Sequence, residues 1–492
     1  MSKIPPFESV ICSALPLTDG GTFWVPIISC KTGFSAQVFE AAILQLLHHP
    51  EYNSTLILRS EQISECNSDF PGSIPQLTSF HPVQCLRRRL LARRPERDPS
   101  IEQLCTFYST ESDCSPIVVV LTPIMGPDQS LPYYHPAVHH IAFRYLCAPE
   151  GATTRVEVQP LPGTPTDPNS RLYRTCLALL ETVHKYGWGT ITNYTKRILH
   201  DCLVAREPYQ DLYLIMRERH KHLINTWQEV TDPLKHVFED IGIATYLMLL
   251  WKETYSEGQP QVENNDQNQP WRTWPRPPGG FLDFGCGNGL LTHILITEGY
   301  EGYGIDLRSR ISWSHYSAAT QARLQVHTFD PLAPFDVTTG TFFKPGIFII
   351  GNHADELTPW IPVVATLVSA SGYMSIPCCP WTFDMRYDRS KISVYPIPPG
   401  DFVESLNLGG SGNNDSSYAM YRIWLASLSL HCGWEVECEA LRIPSTRNWS
   451  IISRKRTKWP DDCQALSNAQ RIVEEVRQRG IFKARKPESR GH

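Results

Sequence analysis

The 492-residue sequence lacks several features that would assign it to a class at once. It has no run of about 18 apolar residues, so we expect no transmembrane helix and no membrane partner. Its first residues lack the charged and apolar segments of a secretory signal, which argues against secretion. Its 15 cysteines include no CxxC pair, which indicates reduced thiols, and we expect a cytoplasmic protein. Their spacing matches no zinc finger or ribbon, so we predict no metal.

The sequence also lacks a large excess of either charge. It has 45 basic and 50 acidic residues, a net charge of −5, so any nucleic-acid partner has to be held by local basic patches. Apolar residues make up 41% and charged residues 19% of the chain. This balance is typical of a globular protein and excludes a mainly disordered one.

Changes in composition divide the chain into five parts. Residues 237–251 (VFEDIGIATYLMLLW) are apolar nearly all round, which predicts a buried helix. The five parts are a Pro-rich N-terminal region over 1–170 that could contact RNA, a helical region over 171–255 packed on the catalytic domain, a flexible linker or insertion over 256–279, a catalytic α/β domain over 280–458, and a charged C-terminal helix or tail over 459–492.

From residue 280 onward, short strands alternate with helices. This alternation favours a mostly parallel sheet with helices on both faces. The last two strands are joined by a short loop and should form an antiparallel hairpin. The fold predicted is therefore a Rossmann-like α/β domain with a mostly parallel seven-stranded sheet and a terminal antiparallel hairpin, preceded by an N-terminal α+β region. The strands are expected at 280–284, 303–307, 324–329, 346–351, 372–377, 434–443 and 449–454.

The sharpest motif is DFGCGNG over residues 283–289, where the first strand runs into a helix. Glycines at such a junction permit a tight turn and let a ligand approach the backbone. The spacing is GxGxG rather than the GxGxxG of dinucleotide-binding proteins, because residue 290 is leucine. With an acid two residues before the first glycine, the motif resembles that of class I S-adenosyl-L-methionine (SAM)-dependent methyltransferases. SAM is therefore the predicted cofactor.

Acidic residues also follow successive strands at the edge where ligands bind to parallel sheets. By the same resemblance, Asp283 faces the methionine end of SAM. Asp306 ends the second strand near the ribose hydroxyls, and Asp330 ends the third near the adenine edge. An aspartate at a strand end is also a common helix cap, and that alternative stays open, above all for Asp330. The predicted cofactor-binding residues are Asp283, Gly285, Gly287, Asn288, Gly289, Asp306 and Asp330.

The fourth strand runs into the sequence NHADE at residues 352–356. His353 or Asp355 could take a proton from an attacking oxygen, and Asn352 could position that oxygen. These three are the candidate catalytic residues, although the same segment could instead cap the following helix. Because the sulfonium is already a good leaving group, orientation of the acceptor can supply most of the acceleration, and a base is optional.

Several longer blocks make the resemblance specific. They are TDPLKHVFEDIGIATYLMLLW (231–251), GNHADELTPW (351–360), IPCCPWTFD (376–384) and LRIPSTRNWSII (441–452). Together with the glycine turn they resemble the eukaryotic tRNA (uracil-2′-O-)-methyltransferases that modify position 44 of serine tRNA. The resemblance implies methyl transfer from SAM to the ribose 2′-hydroxyl of a uridine, with tRNA, serine tRNA in particular, as the partner.

Arginine clusters are the expected RNA contacts, since guanidinium groups bind phosphates and stack on bases. Two other classes of protein stay open. A non-catalytic RNA-binding scaffold would predict a degraded glycine turn, whereas the turn is intact. A methyltransferase acting on a protein or a small molecule is mildly disfavoured by the arginines. The candidate RNA-binding residues are Arg87, Arg88, Arg89, Arg93, Arg94, Arg308, Arg310 and Arg447.

Overall fold

The chain forms two compact units, residues 1–195 and 196–492, which are described separately. Among the residues described, no helix is both long enough and apolar enough to cross a membrane. Half of the predicted linker over 256–279 lies outside the residues that the structure describes. The computed structural model describes residues 4–12, 17–112, 115–126, 130–149, 151–194, 196, 198–256, 269–332, 340–388, 395–397, 399–409 and 416–484.

Unit 1 is built on one antiparallel sheet of nine strands. The strand order is β1-β3-β9-β8-β7-β6-β5-β4, and β2 pairs with β3. Two helices, α1 and α2, bury Phe39 and Leu180 against sheet residues such as Phe107 and Phe143. The elements are β1 (Ser9–Ile11), β2 (Leu17–Asp19), β3 (Thr22–Thr32), α1 (Ala36–His48), β4 (Ile57–Cys66), β5 (His81–Ala92), β6 (Ile101–Ser109), β7 (Val118–Ile124), β8 (Val138–Ala148), β9 (Gly151–Pro160) and α2 (Arg171–Ile191).

The helix α2 corrects the predicted boundary at residue 170. The sequence analysis assigned this segment to a helical region packed on the catalytic domain. The structure instead buries Leu172, Cys176, Leu180 and Val183 in the core of unit 1. The reason is amphipathic spacing: these side chains recur every three or four residues and form one apolar face of the helix. The N-terminal α+β region therefore extends to residue 195.

Unit 2 contains a seven-stranded mixed sheet. Its strand order is β12-β11-β10-β13-β14-β16-β15. The first five strands pair in parallel, whereas β16 is antiparallel to both β14 and β15. The strands are β10 (Phe281–Phe284), β11 (Gly302–Asp306), β12 (Leu324–Val326), β13 (Phe348–Asn352), β14 (Gly372–Ile376), β15 (Glu437–Ala440) and β16 (Trp449–Ser453).

Helices cover this sheet in two apolar clusters. α4 packs with α3 and α5 in one cluster, where Trp251 stacks on Phe281. The prediction that residues 237–251 form a buried helix is confirmed, since that stretch of α4 is buried apart from Phe238. α7, α9 and α10 form the other cluster. The helices of unit 2 are α3 (Arg206–His220), α4 (Pro233–Thr254), α5 (Leu290–Thr297), α6 (Ala318–Gln321), α7 (Trp360–Leu367), α8 (Phe402–Ser405), α9 (Ser417–His431) and α10 (Asp462–Arg479).

Three elements differ from their sequence-based predictions. β15 covers only Glu437–Ala440 of the strand expected at 434–443. β12 ends at Val326 rather than at Phe329, because its partner strand β11 ends at Asp306, the residue that pairs with Val326. The C-terminal segment was expected to be a charged, solvated helix or tail. In the structure, α10 buries Ile472 and Val476 in the cluster that contains α7. Its charged residues mask an apolar face with helical spacing.

Candidate functional site

The glycine turn between β10 and α5 is shaped by left-handed backbone geometry. Gly285, Gly287 and Gly289 have φ values of +84°, +54° and +74°, which side chains with a Cβ rarely adopt. A Cβ placed on Gly287 would meet no atom within 4 Å, and Gly287 borders a cleft of about 570 Å³. The open space beside this glycine therefore belongs to the cleft. Gly285 also lines it, whereas Gly289 packs against Leu324 instead.

Asp306, at the end of β11, holds the glycine turn in place. Its Oδ2 accepts a hydrogen bond of 2.9 Å from the backbone N–H of Gly287. Its Oδ1 accepts one of 3.3 Å from the N–H of Arg308. Asp306 also lines the cleft. Each carboxylate oxygen keeps a second lone pair, so the residue can still accept hydrogen bonds from hydroxyl groups of a ligand.

Asp283 lies beneath the turn rather than on the cleft surface. Its side chain is buried, and its Oδ2 accepts a hydrogen bond of 2.8 Å from the Thr292 hydroxyl. Its Oδ1 has no hydrogen-bond partner among the described residues. Burial raises the pKa of Asp283 to about 7. Its expected role at the methionine end of SAM stays a prediction, and any influence on a ligand in the cleft would pass through the loop.

Two other predicted cofactor-binding residues do not line the cleft. Asn288 uses its Oδ1 to accept a hydrogen bond of 2.9 Å from the N–H of Leu290, at the start of α5. Asp330 accepts one of 2.9 Å from the N–H of Leu332. In the region after β12, the cleft is lined by His327 and Phe329. Both side chains therefore bond to the backbone two residues further on, and their contact with SAM stays a prediction.

The NHADE segment follows β13 and forms another wall of the same cleft. His353 and Asp355 both line the cleft, and their φ values are +54° and +44°. Left-handed backbone at residues other than glycine is strained and is typical of functional sites. Asp355 is exposed, and its Oδ1 accepts a hydrogen bond of 3.1 Å from the Cys378 thiol. Asn352 does not line the cleft.

Two acidic residues of α4 support this segment, and the sequence analysis missed both. Glu239 lies 3.0 Å from Nε2 of His353, and Asp240 accepts a hydrogen bond of 3.1 Å from the Asn352 amide. Burial, with the charges of Asp283 and Glu239, raises the pKa of Asp240 well above its ordinary value. Burial also acts to raise the pKa of Glu239, but His353 outweighs it and the net pKa is lowered. Two adjacent acids inside an apolar helix were the available signal.

The two adjacent cysteines after β14 lie beside Asp355. Ligand atoms of Asp355, Cys378 and Cys379 lie within 4.8 Å of one another, the one group in the described residues with metal-ligand spacing. Burial and the neighbouring Asp355 carboxylate raise the pKa of the Cys378 thiol. A thiol with a raised pKa is a poor nucleophile. Cys378 is therefore not an activated nucleophile.

The predicted RNA-binding arginines fall into three settings. Arg308 and Arg310 line the cleft, and the Arg310 Nε is buried without a hydrogen-bond partner in the described part of the chain. Arg447 lies 3.9 Å over the ring of Tyr418. Arg93 donates to the Ile57 carbonyl at 3.2 Å. The remaining four, Arg87, Arg88, Arg89 and Arg94, lie on β5 or directly after it.

Arg88 points away from the other predicted arginines of β5. Successive side chains of a strand point to opposite faces, so Arg87 and Arg89 are exposed whereas Arg88 is buried. Arg87 and Arg89 share the carboxylate of Glu102, at 2.6 and 2.7 Å. Arg88 is therefore not part of that outer surface. Arg94 follows the strand and is exposed.

Comparison with known proteins gives the class of protein that this cleft defines. A family profile described as "Predicted AdoMet-dependent methyltransferase" matches residues 203–265 and 271–331, which include the glycine turn and Asp306. The chain is thus a SAM-dependent methyltransferase. A second profile, described as "TRM44-like, N-terminal bet v1-like domain", matches residues 6–197, which agrees with the extent of unit 1.

Curated relatives narrow this class to one family. The chain is 34% identical over 463 residues to the tRNA (uracil-O(2)-)-methyltransferase of Schizosaccharomyces pombe, covering 88% of this chain and 85% of that protein. It is 32% identical over 501 residues to the Neurospora crassa protein of the same name, covering 93% and 92%. Identity to the Saccharomyces cerevisiae protein of that name is 29% over 518 residues, covering 86% and 85%. The chain belongs to the tRNA (uracil-O(2)-)-methyltransferase family.

Proposed function

We propose that this chain methylates the ribose 2′-hydroxyl of a uridine in tRNA, and that the uridine is position 44 of serine tRNA. The observation that carries the proposal is the single cleft that joins the glycine turn, Asp306 and Asp355. The first two belong to a cofactor site of the family, and the third stands where an acceptor would lie. The serine tRNA substrate rests on the sequence resemblance, and a cytoplasmic location stays an expectation.

The sheet of unit 2 supports assignment to class I of the SAM-dependent methyltransferases. Five parallel strands, with β10 between β11 and β13, bring the ends of β10, β11 and β13 to one edge. Ligands of open α/β sheets bind at that edge, where the strand order reverses. The antiparallel strand β16 enters between β14 and β15 and completes the sheet.

The residues of the cleft fit SAM. Gly287 leaves room beside the backbone, Asp306 can accept hydrogen bonds from ribose hydroxyls, and Arg310, which lines the cleft, carries a guanidinium suited to a carboxylate. Phe329 and Trp360 add apolar surface. When bound, SAM supplies an activated methyl group on a sulfonium. These residues orient that group and limit the access of water to it.

On the acceptor side, the geometry favours Asp355 over His353. The His353 ring is held through Nε2 by Glu239, and its Nδ1 is buried without a partner among the described residues. Asp355 is exposed and borders the cleft, so its carboxylate can receive a hydroxyl. We assign to Asp355 the orientation of the 2′-hydroxyl and acceptance of its proton, and to Glu239 and His353 the positioning of the segment.

The Asp355→Ala and Asp355→Asn variants test this proposal. Removal of a general base typically lowers turnover by about 10²–10⁴-fold, so we expect a loss of about a hundredfold or more in transfer of labelled methyl from SAM to serine tRNA. SAM affinity should change by less than about twofold, because Asp306 and the turn are intact. The Asn variant keeps the shape and removes the charge. Unchanged turnover in both variants would exclude Asp355 from the reaction.

A further inference from the structure

Unit 1 contains a cleft of its own, about 380 Å³ in volume. One wall is apolar sheet surface that includes Leu90, Leu121 and Ile141, and the other is the side of α2 at Ala178 and Leu179. Its size is within the range of small-molecule sites, about 300–1,000 Å³. The cleft is large enough for a ligand with an apolar body.

A buried arginine faces this cleft without a countercharge. Arg88 is 7% exposed, and its Nε and Nη2 donate to the Oε1 of Gln103 at 3.0 and 2.6 Å. Its Nη1 donates to the Leu47 carbonyl. Both acceptors are neutral. A buried cation without an anionic partner is costly, so the cleft is electrostatically prepared for an anion.

The next residues of the network do not supply the missing charge. Gln103 Nε2 lies 3.1 Å from Nε2 of His135, whose Nδ1 lies 2.8 Å from the Pro136 carbonyl oxygen. Burial, with the charges of Arg88 and Arg171, lowers the pKa of His135 to about 4. His135 is therefore neutral at physiological pH and serves as an acceptor for the glutamine amide.

Two more arginines border the same cleft. Arg171 and Arg174 are in the first turn of α2, where the helix dipole already favours an anion. Arg171 donates to the Tyr133 carbonyl, and its guanidinium lies 4.0 Å over the Tyr133 ring. Among the described residues that line the cleft, three are arginines and none is acidic.

We propose that this cleft binds a nucleoside phosphate and that it takes a nucleotide of the tRNA substrate. Arg88, Arg171 and Arg174 bind the phosphate, since guanidinium groups match its oxygens. The base lies against the apolar wall and the Tyr133 ring, which is 66% exposed. Unpaired RNA bases are commonly held on aromatic and arginine surfaces in this way. The choice of tRNA as the source rests on the proposed function.

The test compares two double variants of the full chain with the same change of charge. Arg171→Gln/Arg174→Gln removes the two exposed cations of the cleft, and the surface variant Lys31→Gln/Lys185→Gln removes two exposed cations of unit 1 that do not line it. Binding of unmodified serine tRNA is measured at several salt concentrations. The cleft variant should bind tRNA about tenfold more weakly. The slope of log K against log[salt] should become less negative by roughly one to two. Binding of tRNA by the surface variant should change much less.

Tyr133→Ser supplies a second variant without any change of charge. Loss of base stacking should weaken tRNA binding by about fivefold or more, since stacking on an aromatic side chain contributes roughly 1–3 kcal/mol per base. Its salt dependence should match that of the wild type. In all variants, the SAM dissociation constant and kcat at saturating tRNA should stay unchanged, which separates this role from misfolding.

Two results would overturn the inference. Equal losses of tRNA binding in the cleft and surface variants would show a general effect of charge rather than a site. Arg171-dependent binding of free uridine monophosphate, with tRNA binding unchanged, would reject tRNA as the source and identify a free nucleotide as the ligand. Failure of the proposed function has a different signature: the wild-type chain would bind SAM and yet transfer no methyl group to tRNA.

Discussion

At the scale of single residues, Gly287 is the residue of the glycine turn with open space beside it, in the cleft proposed to bind SAM. Valine at this position would place a branched side chain in the cleft, at a φ of +54° that it adopts only with strain. We expect Gly287→Val to lower SAM affinity by roughly tenfold or more, as measured by calorimetry.

A matched control separates the blocked cleft from backbone strain. Gly163 has a similar φ of +79° and open space around its Cβ position, and it lies in unit 1. Gly163→Val should reproduce the strain and keep the affinity for SAM. If both variants bound SAM like the wild type, Gly287 would not border the cofactor.

Asp283 predicts a pH dependence of SAM binding. Burial raises its pKa to about 7, and a bound cation nearby favours the ionised carboxylate. Binding of SAM should therefore release a proton, and affinity should rise as the pH rises through 7. SAM titrates as well, so the informative quantity is the ratio of the wild-type to the Asp283→Asn association constant. This ratio should increase by about tenfold for each unit by which the ligand lowers the pKa. A ratio that stays constant from pH 6 to pH 8 would contradict the role of Asp283.

Stability of the ligand-free chain should show the opposite sign. A carboxyl whose pKa is raised on folding binds its proton more tightly in the folded state. Its contribution is therefore present at low pH and is lost as the pH rises from about 4 to about 7. The Asp283→Asn variant lacks this loss. The free energy of unfolding of the wild type, measured by denaturant titration, should therefore fall relative to that of the variant as the pH rises from about 4 to about 7.

Prediction of single residues from the sequence succeeded where the residues that contact one another are close together in the chain. The geometry of Gly287 follows from the local glycine spacing. The contacts between Glu239 and His353, and between Asp240 and Asn352, join residues more than one hundred positions apart, and no local pattern encodes them. Arg88 shows a different limit, because a run of arginines does not reveal which of them a strand turns inward.

At the scale of elements, α10 links the C-terminal segment to the stability of unit 2. Val476 is fully buried in the cluster that contains α7, and Phe482 and Lys483 line the cleft shortly after the helix ends. Val476→Asp would bury an unpaired charge, which costs about 3–5 kcal/mol. We expect this loss in the free energy of unfolding from denaturant titration.

The control lies on the other face of the same helix. Gln478 is exposed, so Gln478→Asp adds the same charge in water and should change the free energy of unfolding by no more than about 0.5 kcal/mol. Equal stability of the two variants would show that α10 does not pack as described.

The helices and strands with the most regular sequence patterns were predicted best. The strands of unit 2 are short, buried and bounded by glycine and turn residues, so their positions could be assigned within a few residues. The nine-stranded sheet of unit 1 was not predicted beyond an α+β region. Strands such as β6 are buried on nearly every residue, because one side faces the helices and the other is covered as well, and the two-residue alternation is lost.

At the scale of the whole molecule, each of the two units carries a cleft of its own. Unit 2 carries the cleft with the glycine turn, Asp306 and Asp355, and unit 1 carries the second, arginine-lined cleft. The net charge of −5 gave no indication of this arrangement, because the arginines act locally. Long-range packing sets the boundary between the units, and composition does not report it. The boundary predicted at residue 170 therefore lies one helix, α2, before the observed boundary at residue 195.

The central claim is tested most directly by mapping modified nucleosides in unmodified serine tRNA after incubation with the full chain and SAM. Mass spectrometry of nuclease fragments should show one 2′-O-methyluridine, at position 44, and roughly tenfold less of it with Gly287→Val at a SAM concentration below the wild-type dissociation constant. A methyl group on a base, or no transfer by a chain that binds SAM, would contradict the account.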